Sequence, residues 1–231
     1  MRAVRGENFV NQIPFGEGRE KRVYKLDEKR ILALYKDNET KDLLELRQLF
    51  YLQKIAHLLF PDNIPDIVQA GVNPSHYIAE KVDFDETSSV LRQDDLRFWR
   101  DLPRRYSDDD RVEEAEKQVE KEVGKSGVIR NLHRAGILIE AIPQNFAIDP
   151  QGIVHYVDTV DVHQYDPRND VIVTYDHKKL KRAIESRLVD HDKDLALKYW
   201  RRLGELGGQM MIPRRKGDYK KKTGNSVSGL S

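Results

Sequence analysis

The sequence predicts an α+β protein in which an antiparallel sheet, drawn from the N-terminal third, is followed by a mainly helical region. Three observations carry that expectation. Short alternating apolar runs separated by turn residues fill 8–36 and 64–82, the pattern of half-buried strands. Apolar residues at helical spacing fill 38–60 and recur through much of 91–132 and 178–206. Between those helical stretches, residues 137–158 return to alternation on either side of Pro150-Gln151-Gly152, which reads as a β-hairpin.

The 231 residues suffice for one substantial domain or two small lobes. With 34% charged and 39% hydrophobic residues the chain is globular rather than disordered. Forty basic residues nearly cancel thirty-nine acidic ones, so the net charge of +1 gives no global argument for nucleic acid or membrane as partner. Cysteine is absent, which removes disulfides, a thiolate nucleophile and cysteine-based zinc sites. No pair among the seven histidines has helical metal-ligand spacing, so zinc is not expected. The first residues lack the apolar core of a signal peptide, and no run approaches the ~18 apolar residues of a membrane span. The expectation is a cytoplasmic protein.

In chain order, strands are expected at Asn8–Pro14, Arg22–Leu26 and Arg30–Tyr35, with a glycine-bearing turn, Phe15-Gly16-Glu17-Gly18-Arg19-Glu20-Lys21, between the first two. A helix follows from Asn38 to Phe60, capped by Asn38 or Thr40 and ended by Pro61. Ile64–Gly71 and His76–Val82 supply two further strands. From Asp83 the pattern turns helical. Leu91–Leu102 forms a short helix, and Asp108-Asp109-Asp110 starts a highly charged one from Arg111 towards Val123. Gly124 and Gly127 interrupt that helix before Val128-Ile129-Leu132 resumes an apolar face that stops at Gly136. Val171–Tyr175 reads as one more strand, and Lys178–Leu206 as two helices. Beyond Pro213 the basic, Gly/Ser-ended tail is expected to be disordered. The boundaries are therefore 8–82 for a first lobe, 83–212 for a second and 213–231 for the tail.

The chemistry gathers where the helix ending at Gly136 meets the hairpin. Glu140, Pro143 and Asn145 lie in the connecting loop, and Asp158 follows Asn145 by 13 residues at the far end of the hairpin. An amide and a carboxylate brought together in this way are hard oxygen ligands suited to Mg²⁺. A further carboxylate can orient a hydroxyl and take its proton.

This stretch resembles the catalytic loop and metal-binding hairpin of the protein-kinase-like phosphotransferases, the superfamily that includes kinases related to aminoglycoside phosphotransferases. That family has a catalytic Asp, Pro three residues on, Asn five residues on, and a metal-binding Asp after a hairpin. Glu140, Pro143, Asn145 and Asp158 keep the intervals, with Glu in place of the first Asp.

Across residues 13 to 210 the order of parts also matches, and the resemblance implies a bilobal kinase-like fold with a reduced helical second lobe. It implies ATP and Mg²⁺ as cofactors, Glu140 as catalytic base, and Asn145 and Asp158 as metal ligands. Gly16, Gly18 and Val23 would form the glycine-rich phosphate turn, with Lys21 standing where the third glycine is expected. Glu80-Lys81-Val82 would be the hinge that meets adenine.

The phosphate lysine has two registers. Either Lys36 supplies it, held by Glu45 of the following helix, or Ala33 occupies the position and the charge is missing. Thr159-Val160-Asp161 replaces the glycine expected two residues after Asp158. Two functional classes follow: a kinase acting on an alcohol group of a protein or small molecule, or a pseudokinase serving as a nucleotide-binding or protein-interaction module.

Overall fold

The computed structural model describes residues 14–18, 20–37, 41–100, 110–160, 164–166, 171–173, 175–206 and 212–213. Its strands β1 (Gly16–Glu17), β2 (Lys21–Lys25), β3 (Arg30–Tyr35), β4 (Ile67–Val72) and β5 (Ser75–Glu80) form one antiparallel sheet in the order β1-β2-β3-β5-β4. The strand expected at Asn8–Pro14 lies outside the described residues except for Pro14, which is not in a strand. Gly16 is itself paired, opposite Val23, so the turn is tighter than the sequence suggested.

Cross-strand partners share a face of a sheet. The pairs Lys21 with Tyr35, Val23 with Ala33 and Ala33 with Tyr77 therefore put these five residues on one side. Helix α1 (Leu43–Leu59) covers that side, and Leu46 and Leu49 pack with Ala33, Tyr35, Ile67, Tyr77 and Ala79. Asp42 closes a reciprocal capping box with Glu45 at the start of the helix, and the caps expected at Asn38 or Thr40 lie outside the described residues. Its second half turns to another core, where Leu52, Ile55, Ala56 and Leu59 pack with the helical region. The Tyr199 ring from that region meets Phe50 edge to face and Tyr51 at a tilt, with ring centroids 6.5 and 5.8 Å away.

The helical region comprises α2 (Glu86–Arg100), α3 (Asp110–Ser126), α4 (Val128–Arg134), α5 (His177–Arg187) and α6 (Asp190–Glu205). Helix α2 begins ahead of the expected Leu91 because the Asp85 carboxylate accepts the Ser88 N–H at 2.7 Å. Gly124 is absorbed within α3, and the break falls at Gly127 alone, whose φ of 67° is left-handed. Of the expected Asp108-Asp109-Asp110 cap, only Asp110 lies among the described residues, as the first residue of α3.

The hairpin is β6 (Phe146–Ile148) and β7 (Val154–Tyr156). A small sheet pairs β8 (Gln164–Asp166), β9 (Val171–Val173) and β10 (Ile212–Pro213) in the order β10-β9-β8. The tail after Pro213 lies outside the described residues. Among those described, a five-stranded antiparallel sheet and six helices make the protein α+β, an arrangement compatible with a bilobal kinase-like fold. No described helix is long and apolar enough to cross a membrane.

Both outer edges of the hairpin are satisfied by neighbouring elements. Along β6, Ile148 receives the Asp85 N–H at 2.8 Å and donates its own N–H to the Ser88 hydroxyl at 2.7 Å. Along β7, the Asn63 carbonyl accepts the Tyr156 N–H and the Asn63 amide donates to Val154 O, both at 2.8 Å. Ser88 is buried, so Ser88→Ala would strand the Ile148 N–H without water to replace the hydroxyl. A loss of about 1–3 kcal/mol in unfolding free energy is expected from urea denaturation.

Candidate functional site

The loop that carries the site begins with a Schellman ending. Gly136, at φ 83°, donates to His133 O, and Ile137 donates to Leu132 O, while Leu132 and Ile137 are both fully buried. A Cβ at Gly136 would stand 2.7 Å from the Asp176 carbonyl, so glycine is required by close packing as well as by φ. Ile137 then bridges to Tyr175 and Ile139 is buried, which leaves Glu140 as the first exposed side chain beyond the helix.

Pro143–Asn145 form one 3-10 turn. Asn145 is 9% exposed, and its Nδ2 donates to both the backbone oxygen and Oε2 of Glu140, each at 3.2 Å. Its amide thus spends its nitrogen on Glu140, and the oxygen is the atom left for a cation. The Asn145 carbonyl accepts the Val157 N–H at 2.9 Å, which brings the residue before β6 beside the segment after β7.

Asp158 comes next on that segment, and its Oδ1 accepts the Thr159 N–H at 2.8 Å. Glu140, Asn145 and Asp158 are therefore collected at one end of the hairpin. Arg92 of α2 holds the same end from outside by donating to the carbonyls of Gln144 and Phe146. The segment is also fixed to α1, because Gln53 accepts the Val160 N–H at 3.2 Å.

The sheet contributes a residue that had no assigned role in the sequence. Lys21, the first residue of β2, crosses to this site, where its ammonium forms an ion pair with Asp158 Oδ1 and lies 3.4 Å from Thr159 Oγ1. Lys36 takes no part in that contact. It is on the opposite parity to Tyr35, just beyond β3, and its Nζ pairs with Glu17 Oε1 at 2.9 Å, alongside Arg22 Nε on the same oxygen. Ala33 occupies the α1-facing side of β3, fully buried. Glu45 is used at the start of α1, where its Oε2 accepts the Asp42 N–H at 2.9 Å.

In the glycine turn, Gly18 donates to Lys21 O at 2.9 Å, and a Cβ at Gly18 would meet no atom within 4 Å. Val23 packs at the margin of the sheet core. At the hinge, the Glu80 and Lys81 N–H groups go to the carbonyls of Asp66 and Lys29, whereas no described residue accepts the Val82 N–H. Phe15 stacks on Phe84 just past the hinge, with centroids 5.8 Å apart and planes 20° from parallel. Phe15, Phe84, Arg92 and Lys21 are the residues that sequence reasoning passed over. For Lys21 a signal existed: it shares parity with Val23 in β2 and stands where a glycine was expected.

The oxygen atoms of Asn145 and Asp158 suit a hard divalent cation that draws its remaining ligands from a polyphosphate. No group of three or more His, Asp or Glu residues able to hold a metal by itself occurs among the described residues. No family model and no curated protein matches the chain. Among solved structures, the bifunctional kinase-methyltransferase WbdD aligns with a TM-score of 0.36 and 14% identity. The alignment covers 88% of this chain and 46% of that one. A likeness at that level carries no argument about chemistry, which stands on the residues themselves.

Two carboxylates, one in the sheet and one at the hairpin turn, are tuned by their neighbours. At Glu17 burial pushes the carboxyl pKa up, but hydrogen bonds and charge from Lys36 and Arg22 outweigh it and hold the group below its ordinary value. Asp149 opens the hairpin turn. Burial again raises its pKa, and hydrogen bonds from His155 and the Ile153 and Gln151 N–H groups bring it below its ordinary 3.8.

A carboxylate depressed on folding stabilises the native state above its unfolded pKa and loses that contribution as pH falls through the folded value. Asp149→Asn is therefore expected to lower stability at neutral pH and to flatten its decline below about pH 4. Urea unfolding of both proteins between about pH 3 and pH 7 checks this; parallel curves would deny Asp149 the linkage.

Proposed function

We propose that this protein is a divergent, Mg·ATP-dependent phosphotransferase of the protein-kinase-like type that passes the γ-phosphoryl group to a hydroxyl of a protein or small-molecule acceptor. The observation that carries the reading is the convergence of Glu140, Asn145 and Asp158 at one end of a hairpin, faced by a lysine from the glycine turn. Asn145 and Asp158 would hold a Mg²⁺ ion, which would supply positive charge to offset that of the phosphates. The Val82 N–H is the hinge donor available to a purine.

Glu140 is the carboxylate placed to accept the proton of the attacking hydroxyl. It is one methylene longer than the Asp of the family, and a misplacement of about 1 Å can cost about 10²-fold in rate. The hydrogen bond from Asn145 Nδ2 draws its carboxylate back towards the loop and so offsets the extra length. A pseudokinase, binding nucleotide without turnover, is the second reading. It is favoured by the fully buried Ala33 on the α1-facing side of β3, where a lysine would otherwise stand.

Two experiments test these readings. Wild-type protein is expected to show Mg²⁺-dependent thermal stabilisation by ATP; at 100 times the dissociation constant the gain is ~2.7 kcal/mol. Asp158→Ala should lose that dependence while unfolding as cooperatively as the wild type, and undiminished Mg·ATP stabilisation would remove Asp158 from the metal site. Glu140→Gln should keep Mg·ATP binding and lower ATP consumption in the presence of hydroxyl acceptors by ~10²–10⁴-fold. Transfer unaffected by this change would exclude Glu140 as the base, whereas nucleotide binding with no turnover across acceptors would favour the pseudokinase.

A further inference from the structure

The geometry points to Lys21, rather than Lys36, as the side chain that meets the nucleotide phosphates. The inference rests on the nucleotide-binding reading given above and assigns its phosphate cation to a different strand. Among the described residues, Lys21 is the lysine of the glycine turn and of β2–β3 that reaches the hairpin end, and it does so by an ion pair with Asp158.

Its location follows from register. The pairing of Lys21 with Tyr35 puts it on the face of the sheet that looks towards α1 and the hairpin. Lys36, one residue beyond Tyr35, takes the other parity and meets Glu17, already shared with Arg22. That pairing directs Lys36 to Glu17 and not to Asp158.

The surroundings of Lys21 suit a charged group held in a partly dry place. Its side chain is 15% exposed, and its ammonium sits 5.9 and 5.5 Å from the ring centres of Tyr35 and Tyr77, whose faces attract a cation. Asp158, 30% exposed, is its counter-charge. A metal held by Asp158 and a phosphate held by Lys21 would therefore be neighbours. Replacing the third glycine by lysine gives up close backbone approach at that point of the turn and supplies a full positive charge. The α1-facing side of β3 then has no need of a lysine, and Ala33 can be fully buried there.

The test compares Mg·ATP with adenosine, which lacks the phosphates, by calorimetric titration of the full chain. Lys21→Met is expected to weaken Mg·ATP by about 10- to 100-fold, the range for losing a hydrogen bond to a charged group, and to leave adenosine within about twofold. Lys36→Met should shift both ligands in parallel, because its ammonium is paired with Glu17 rather than with Asp158. Lys21→Arg should recover part of the lost Mg·ATP affinity. Should the methionine variant unfold, Lys21→Gln makes the same comparison with a polar side chain of similar reach.

Equal effects of Lys21→Met on both ligands, or none on either, would overturn the assignment while the nucleotide reading stands. A loss selective for ATP in Lys36→Met alone would return the role to Lys36. Wild-type protein that binds neither ligand would overturn the nucleotide reading itself, and this assignment with it.

Discussion

A two-stranded hairpin in the interior of a protein has unpaired backbone groups on both of its outer edges, and each must find a partner. Much of this structure follows from meeting that demand for β6 and β7. Asp85 and Ser88, at the start of α2, take one edge at Ile148. Asn63, between α1 and β4, takes the other at Val154 and Tyr156. Arg92 closes the near end at Phe146. The buried Phe146 and Tyr156 rings, 5.4 Å apart and edge to face, anchor the same ribbon in the core. The polar residues at its end are thus held by backbone contacts on three sides rather than by a free loop.

Helix α1 links this ribbon to the sheet. Its first turns pack against the sheet through Leu46 and Leu49, and its later turns enter the core of the helical region through Leu52, Ile55, Ala56 and Leu59. Gln53 lies between the two and reaches the backbone of Val160, just after Asp158. A displacement of α1 would therefore move the sheet face bearing Lys21 and the segment bearing Asp158 together. The Lys21–Asp158 pair adds a direct bond between the same two parts. Because both side chains are partly buried, that bond is screened less than a surface ion pair would be.

The carboxylates around the ribbon do different work according to what surrounds them. Asp149 is satisfied by His155 and two backbone N–H groups and serves the turn. Glu17 is satisfied by Lys36 and Arg22 and serves the outer face of the sheet. Glu140 accepts from a single amide and remains exposed, and Asp158 meets a lysine from the sheet.

Local pattern determined the elements. Two-residue alternation marked β2 to β5 and the hairpin, helical periodicity marked α1 and α3 to α6, and the spacing of Glu140, Asn145 and Asp158 around a turn implied that they meet. Such features are written in neighbours a few residues apart, so they survive without knowledge of the fold. Cap choice was less legible: Asp42 caps α1 and Asp85 starts α2 ahead of its apolar stripe, because a cap is decided by which side chain finds a free N–H. Tertiary structure alone decided which lysine meets Asp158. Lys36 and Lys21 are equally charged and both flank the glycine turn. Strand register turns one to Glu17 and the other to Asp158, a partner 137 residues away in the chain.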